Sequence, residues 1–354
     1  MSDSTLPSRP ASNRVQRCAA GRGASRQHGA ALLTAMIIVT LIASLAAGMV
    51  WQQYRAVQIE AADRARAQSA WILQGALDWT RLILKTDAQG NQQKKIDHLG
   101  EPWAVPLAEA RLSTFLAADK SAASDDEGPE AFLSGSIEDA QSHYNLRALL
   151  GGATVDPLEQ RVLERLCSQV NAPPGTAAVI IAGLRDAFPA PASTPSAPGT
   201  AGPPASQPQS QNGPLQPAGV DQLAWLGLDA DTIKRLQPYV TLLPKPTPVN
   251  VNTAPREVIA ALFDGMNLAS AERLVQTRKV KPLQDPVNDI QPYLPANSQP
   301  QATPTRVSVD SSFFIVTGRL RLDERQLEQR SLIERQGLNM IVLARERINQ
   351  LLDR

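Results

Sequence analysis

The sequence is poor in the residues that catalytic and metal sites use most. Its 354 residues include two cysteines, Cys18 and Cys167, and three histidines, His28, His98 and His143. Their spacings do not match a zinc-binding pattern, and the sequence has neither a nucleophile elbow nor a phosphate-binding glycine loop. We therefore expect a protein that is not an enzyme. Cys18 lies in an N-terminal leader that we expect to be removed, so Cys167 should be a single buried apolar residue.

Formal charge is absent from residues 29–51, a long apolar run. As a helix with ~1.5 Å per residue, these 23 residues span ~34 Å, enough to cross a bilayer. Five arginines precede the run, whereas Trp51 and Tyr54 close it. We therefore expect a cytoplasmic N-terminus and an exported body. Beyond residue 29 the chain holds 30 basic and 33 acidic residues, a balance that offers no electrostatic attraction to nucleic acid.

The apolar run follows a basic leader, residues 1–29, that ends in glycine. A cleaved secretory signal is the alternative interpretation, but the run exceeds the about 7–15 apolar residues of such signals and no small-residue cleavage site ends it. Cleavage between Gly29 and Ala30 would leave the membrane helix, residues 30–51, intact at the new N-terminus. We therefore predict that the mature chain begins at Ala30 and keeps its anchor.

The helical pattern continues beyond the membrane. Proline is absent from residues 52–101, and turn-forming residues occupy 87–91, so we expect one spine helix of ~55 residues. Its exported half should present a narrow apolar face that a sheet could cover. The residues on this face are Tyr54, Val57, Ala61, Ala65, Ile72, Ala76, Trp79 and Ile83.

The exported body divides by composition. Residues 52–150 hold the rest of the spine, a short helix predicted at Leu107–Ala118 and a strand at Ala131–Ile137. Residues 151–302 are predicted to be helical, interrupted by the flexible loop 189–219, which has nine prolines and cannot bury apolar surface. We interpret that loop as a linker, with a proline-motif ligand as the alternative.

Local signals place individual helices within residues 151–302. Asp156 is predicted to cap the first of them. Asn252 or Thr253 is predicted to cap a helix over Pro255–Phe263, and a glycine turn then leads to a second helix over Ser270–Arg278.

This helix, turn and helix raise the alternative of a membrane-tethered helix-hairpin-helix protein, because such hairpins bind DNA backbones. The turn, however, has the single glycine Gly265, and Asp264 precedes it. Residues 221–295 hold eight basic and eight acidic side chains, whereas binding phosphates requires a basic surplus. We therefore interpret the hairpin as a module for protein packing and expect no nucleic acid partner.

The C-terminal region, residues 303–354, alternates as strands do. Strands are predicted around Phe313–Leu320, at Ser331–Glu334 and at Met340–Leu343, followed by a terminal helix at Arg345–Leu352. These strands should pack on the apolar face of the spine.

Three stretches carry a resemblance to a known family. They are FLSGSIEDAQSHYNLRALL (Phe132–Leu150), PVNVNTAPREVIAAL (Pro248–Leu262) and SSFFIVTGRLRL (Ser311–Leu322). Together with the glycine-ended leader and the long spine, they resemble the K-type minor pseudopilin of the type II, or general, secretion pathway. The resemblance covers almost everything from residue 26 onward.

The resemblance implies an α+β, pilin-like fold, in which a long N-terminal helix packs on a small antiparallel sheet and residues 151–302 form an inserted all-α domain. It implies a tip subunit of the secretion pseudopilus, cleaved and methylated by the prepilin peptidase and held in the inner membrane with its body in the periplasm. The implied partners are the minor pseudopilins of I, J and H type, the major pseudopilin and inner-membrane lipid. A minor pilin for adhesion or DNA uptake is the alternative.

Four residues are predicted to matter for assembly: Thr34, Tyr54, Val57 and Ala61. The fifth residue after the cut is usually glutamate in pilins but is Thr34 here. A carboxylate in hydrocarbon costs ~3 kcal/mol, and in the family picture it pairs with the terminal amine of the subunit ahead. A tip subunit has no subunit ahead and can lack the acid. Alternatively, Thr34 is a tolerated hydroxyl that bonds to its own helix carbonyls.

The resemblance implies no required cofactor. Acidic residues at Asp125–Glu127, and Asp310 with Asp323 and Glu324, could hold Ca²⁺, which prefers carboxylate oxygens. A solvated run of charge is the alternative interpretation.

Overall fold

The computed structural model describes residues 28–90, 94–112, 131–152, 154–189, 215–322 and 325–351. The chain divides into two compact units, residues 1–67 and 68–354. Helix α1, His28–Gly90, includes residues of both units and ends within the turn segment predicted from the sequence. Among the described residues, α1 is the helix long and apolar enough to cross a membrane. Its large apolar side chains in the first unit are exposed, as in a helix that lipid would cover.

The second unit is built on a five-stranded antiparallel sheet with the strand order β1-β2-β7-β8-β9. Its strands are β1 (Leu107–Arg111), β2 (Ala131–Asp139), β7 (Phe313–Leu322), β8 (Arg325–Gln336) and β9 (Asn339–Leu351). Two short parallel pairs lie outside this sheet: β3 (Tyr144–Asn145) with β4 (Val240–Thr241), and β5 (Val249–Asn250) with β6 (Val307–Ser308). With α1 and the helices of the second unit, these strands make the predicted α+β fold.

The sheet packs on the spine helix, but on a different face from the one predicted. Leu73, Leu77 and Leu84 are buried against it, whereas Trp79, assigned to that face from the sequence, is 49% exposed. The observed buried face is displaced from the predicted one by one residue, or ~100° around the helix. The reason is that leucines fill the layer between helix and sheet, while Ile72, Ala76 and Ile83 flank it half-buried.

This corrected face predicts a large contrast between two leucines. Leu77→Ala should lower the free energy of unfolding by about 2–5 kcal/mol, because Leu77 is 2% exposed and its removal leaves a cavity. Leu82→Ala is the matched control; at 57% exposure it should change that free energy by less than about 1 kcal/mol. Denaturant unfolding of the full chain in detergent measures both. Equal losses would contradict the assignment of the buried face.

A helical block separates β2 from β7 in sequence and has its own core. Its helices are α2 (Pro157–Gln169), α3 (Thr176–Ala187), α4 (Ala230–Leu236), α5 (Arg256–Leu262) and α6 (Leu268–Val280). Asp156 accepts from the backbone N–H of Leu158 at 2.8 Å, which confirms the predicted cap. Leu163, Leu166, Ile180 and Val258 are fully buried in the shared core of this block.

The block leaves the sheet at the end next to the C-terminal part of the spine. Asp139, the last residue of β2, pairs with Phe314 at the start of β7. Phe314 shares a buried cluster with Leu84, near the C-terminal end of α1. The opposite end of the sheet packs on an earlier turn of the helix, where Leu320 clusters with Leu73. The helical block therefore begins at the end of the sheet that packs on the more C-terminal part of the spine.

Three predicted elements are wrong. Leu107–Ala118 was predicted to be helical, but Leu107–Arg111 is strand β1 and residues 113–118 lie outside the described part. The terminal helix at Arg345–Leu352 is instead the second half of β9, because pairing with β8 outweighs helix propensity. The two C-terminal strands are correspondingly longer than predicted. The third error is a cap: Pro255, and neither Asn252 nor Thr253, is the N-cap of α5.

Candidate assembly surface

The predicted processing and anchor residues lie at the start of α1. The helix begins at His28, so the bond between Gly29 and Ala30 is in its first turn. Thr34 Oγ1 donates to the backbone oxygens of Ala30 at 3.0 Å and Ala31 at 2.9 Å. The hydroxyl is thus satisfied by its own helix and needs no partner in lipid. Cleavage after Gly29 stays a prediction.

The other predicted assembly residues are exposed on α1 in the first unit. Tyr54 and Val57 are 66% and 62% exposed, and Ala61 is exposed as well. The guanidinium of Arg55 lies over the Trp51 ring at 5.6 Å from its centroid. Their role in assembly stays a prediction, but the apolar side chains are available for contacts with another subunit.

Polar groups from distant segments meet at the junction between the sheet and the helical block. The buried Asp139 carboxylate accepts from the backbone N–H of Gln141 at 2.8 Å and from Asn250 Nδ2 at 3.0 Å. It also accepts from Thr253 Oγ1 at 2.5 Å and from Ser311 Oγ at 2.6 Å. Burial raises the pKa of Asp139 to about 6, although the hydroxyl and amide donors lower it. This network joins the end of β2, β5 and the residue pair preceding β7.

A second polar cluster holds the end of the spine to the sheet. Asp87, Asp97 and Glu101 each place one carboxylate oxygen within 4.8 Å of the others, a spacing that could hold a metal ion. Arg335 supplies positive charge there from within the chain: its guanidinium contacts Asp97 and lies 3.1 Å from Asp87 Oδ2. Burial, followed by repulsion from Glu101 and Asp97, raises the pKa of Asp87 to about 6, and burial also raises the pKa of Asp97.

The acids predicted for calcium are not those of this cluster. Asp125–Glu127, Asp323 and Glu324 lie outside the described residues. Asp310 is described and precedes β7, where its backbone oxygen accepts from Ser308 Oγ at 2.7 Å. Calcium binding therefore stays a prediction.

The hairpin between α5 and α6 uses its polar groups within the protein. Asp264 accepts from Arg161 Nη2 at 3.0 Å and also pairs with Arg165, whose Nε donates to Ala261 O at 2.7 Å. Although partial burial raises its pKa, hydrogen bonds from both arginines lower the pKa of Asp264 to about 2. The backbone N–H of Asp264 donates to Gln301 Oε1 at 3.0 Å. The turn thus packs against α2, which supports the interpretation as a protein-packing module.

His98, His143 and Cys167, of the residue types that catalytic and metal sites use most, have ordinary structural contacts. His143 is mostly buried; burial, followed by the charge of Arg330, lowers its pKa to about 4. His98 Nδ1 accepts from the backbone N–H of Gly100 at 3.1 Å. Cys167 is buried in the block core, as predicted, and burial raises the pKa of its thiol to about 11. A protonated thiol in a core is a poor nucleophile.

Comparison with known proteins gives consistent matches. Two family models, both described as type II secretion system (T2SS), protein K, match residues 142–245 and 249–310. The type II secretion system protein K of Klebsiella pneumoniae is 30% identical over 338 residues, 90% of this chain and 96% of the relative. That of Pseudomonas aeruginosa is 29% identical over 269 residues, 71% of this chain and 72% of the relative.

The fold is similar to a solved structure as well. A chain of the GspK-GspI-GspJ complex from the enterotoxigenic Escherichia coli type 2 secretion system matches with a TM-score of 0.60 and 23% identity. The match covers 82% of this chain and 99% of that chain. At this identity the similarity shows the fold.

Proposed function

This chain belongs to the type II secretion system protein K family and is a minor pseudopilin of the type II secretion pseudopilus, and from that premise we propose that it forms the tip of that fibre. As the tip it would initiate or cap assembly for the export of folded proteins across the outer membrane. The position of the helical block supports this proposal most directly. The block begins where Asp139 pairs with Phe314, at the end of the sheet that packs near the C-terminus of the spine.

A subunit in the middle of a fibre must leave that end free for the subunit ahead. Here that end of the sheet continues into the helical block, whose described residues form five α-helices with a separate core. We expect its volume to exclude a further subunit, so the fibre would end with this chain. Thr34 agrees with that position, since its hydroxyl is bonded within the helix and carries no charge that a subunit ahead would have to neutralise.

The expected partners follow from the family and from the similar solved complex. We expect minor pseudopilins of I and J type to bind this chain, with the H type and the major pseudopilin following in the fibre. The contacts would include Tyr54, Val57 and Ala61 on the spine. The chain would sit in the inner membrane with a cytoplasmic N-terminus and a periplasmic body, after prepilin peptidase cuts between Gly29 and Ala30. None of these steps requires catalysis or a cofactor from this chain.

Co-purification with sequencing of the mature N-terminus tests this proposal. The full chain is expressed with its I-type and J-type partners, extracted from membranes in mild detergent and recovered through a tag on the I-type subunit. We expect this chain in the recovered complex, starting at methylated Ala30. A mature chain that begins beyond Trp51, or one that is not retained by either partner, would contradict the proposal.

A further inference from the structure

The C-terminal strand β9 forms an open edge of the five-stranded sheet. It pairs with β8 on one side, and no described residue pairs with its other side over residues 341–348. Closer to its start, the backbone oxygen of Met340 is already occupied, because Arg81 Nε donates to it at 3.0 Å. An edge strand presents alternate N–H and C=O groups outward, which makes it a template for a further strand. With 13 residues against the five of β1, β9 offers the longer of the two edges.

One face of β9 borders a cleft of about 340 Å³ between the sheet and the helical block. Six residues of the sheet line it: Glu138, Ile315, Arg330, Leu332, Ala344 and Glu346. Ile315 and Leu332 pack in a cluster with Phe313, whereas the next residues along these strands, Val316 and Ile333, cluster with the spine. The cleft therefore lies on the face of the sheet opposite the spine, so contacts that the spine makes leave it open.

The cleft has an excess of negative charge. Glu138, Asp221 and Glu346 are exposed carboxylates in its lining, and none of them forms an ion pair with a described residue. Arg330 supplies one opposing charge. His143 also lines the cleft but is neutral at pH 7, because burial, followed by the charge of Arg330, lowers its pKa to about 4. A basic group entering the cleft would therefore be attracted.

We propose that the β9 edge and the cleft together bind an extended, basic segment of another protein, which adds a strand beside β9 and places lysine or arginine side chains in the cleft. Backbone hydrogen bonds to an edge supply affinity in this mode of binding, while alternate side chains supply specificity. Every second side chain of the added strand would lie on the face of Ala344 and Glu346, from which long side chains reach neighbouring strands.

The charge of the cleft also argues against a second copy of this chain as the occupant. A second β9 that continued the sheet would bring its own Glu346 to the acidic face, and like charges on neighbouring strands are destabilising. The inference goes beyond the proposed function, because neither the β9 edge nor the cleft belongs to the assembly contacts proposed on the spine.

The probe is a ten-residue peptide, blocked at both ends, in which valine and lysine alternate. Its binding to the full chain in a neutral detergent is measured by fluorescence anisotropy, and we expect saturable binding that weakens as salt is added. Two control peptides have glutamate in place of lysine or a methyl group on every backbone nitrogen. Each should bind at least about tenfold more weakly, because the first has the wrong charge and the second has no N–H to donate to the edge.

Two substitutions test the cleft, and hydrogen exchange tests the edge. Glu346→Lys adds positive charge and Ala344→Trp adds bulk, so each should weaken binding of the lysine peptide by about tenfold. Glu164→Lys is the matched control, since Glu164 is an exposed acid on α2 that does not line the cleft. It should stay within about twofold of the wild type. Bound peptide should slow amide exchange at residues 341–348 and leave β1 unchanged.

The outcomes that overturn the inference are distinct. Absence of saturable binding, equal binding of all three peptides, or unchanged exchange at β9 would each show that no strand is added there. Self-association of the chain that Glu346→Lys alters, without an effect on peptide binding, would make a second copy the occupant and overturn it as well. The peptide controls use the unaltered chain, so they decide the matter even if a variant fails to fold. Retention on the I-type subunit, which tests the proposed function, should be the same for Glu346→Lys and the wild type.

Discussion

Replacing Arg335 with leucine is expected to lower the free energy of unfolding by about 3–5 kcal/mol at pH 7. The side chain is 11% exposed and lies between two acids, Asp87 and Asp97, at the point where the end of the spine meets the sheet. Its Nη2 donates to Ser311 O at 2.5 Å, and its guanidinium lies 5.0 Å from the centroid of the Phe314 ring. Leucine would remove the cation that contacts both of these carboxylates.

The pH dependence of this loss identifies its cause. In the folded protein the pKa of Asp87 is raised above its ordinary value to about 6, first by burial and then by repulsion from Glu101 and Asp97. A raised folded pKa means that stability is fully present below about pH 4 and is lost as the pH rises through about 6. Arg335→Leu removes the charge that opposes this rise. Its deficit should therefore be large at pH 7 and shrink at pH 5, where the carboxyls gain protons.

Denaturant unfolding of the full chain in detergent at pH 7 and pH 5 measures the effect. Arg319→Leu is the matched control, because Arg319 lies on the same sheet, 52% exposed, with Nε 2.8 Å from Glu328. A pair so exposed contributes less than about 1 kcal/mol. If the two variants lost equal stability, or if the deficit of Arg335→Leu did not depend on pH, the charge of Arg335 would not hold the spine in place.

Local periodicity predicted the elements that repeat a simple pattern. The membrane helix, the end of the spine near residue 90 and the Asp156 cap all depend on residues that are close in sequence. The same is true of Phe313–Leu322, whose β-branched and aromatic residues form strand β7. The family resemblance then gave the α+β fold and the role in secretion.

The predictions from the sequence were wrong where contacts between distant residues determine the structure. Residues 345–351 favour a helix by propensity, yet they pair with residues 325–331 of β8. On the spine, Ile72 and Trp79 have the right spacing for a buried face, but the leucines one position further fill the sheet's surface instead. The sequence of a helix does not decide which of two adjacent apolar faces is buried, because that depends on the surface that packs against it.

The polar junctions were beyond prediction for a similar reason. Arg335 joins residues that precede it by more than 230 positions, and no local pattern connects them. Thr253 was predicted as a possible helix cap, whereas in the structure both it and Asn250 are buried donors to Asp139. A usable signal existed in the run Val249–Asn252, where polar and apolar residues alternate although all four residues are buried.

Asn250 is expected to be the most sensitive residue of that junction. It is fully buried, and its Nδ2 lies 3.1 Å from Asp97 O, 3.0 Å from Asp139 Oδ2 and 2.9 Å from Ser311 Oγ. Its Oδ1 accepts from the backbone N–H of Asn252 at 2.9 Å. Asn250→Ala would leave several buried polar groups unsatisfied, at about 1–3 kcal/mol each, so we expect a loss of about 3–5 kcal/mol.

The region that loosens first in Asn250→Ala distinguishes a role at the junction from a role in general core packing. Asn250 donates between segments that belong to the helical block, the sheet and the loop after the spine, so Asn250→Ala should loosen the connection before either core opens. Hydrogen exchange should accelerate first at β5, β6 and residues 309–312, while the amides of β7 and β8 stay protected. Asn288→Ala is the matched control, because its Nδ2 bonds to Asp285 at the surface. Uniform acceleration across both cores would show that Asn250 supports packing in general and does not act as a link between the block and the sheet.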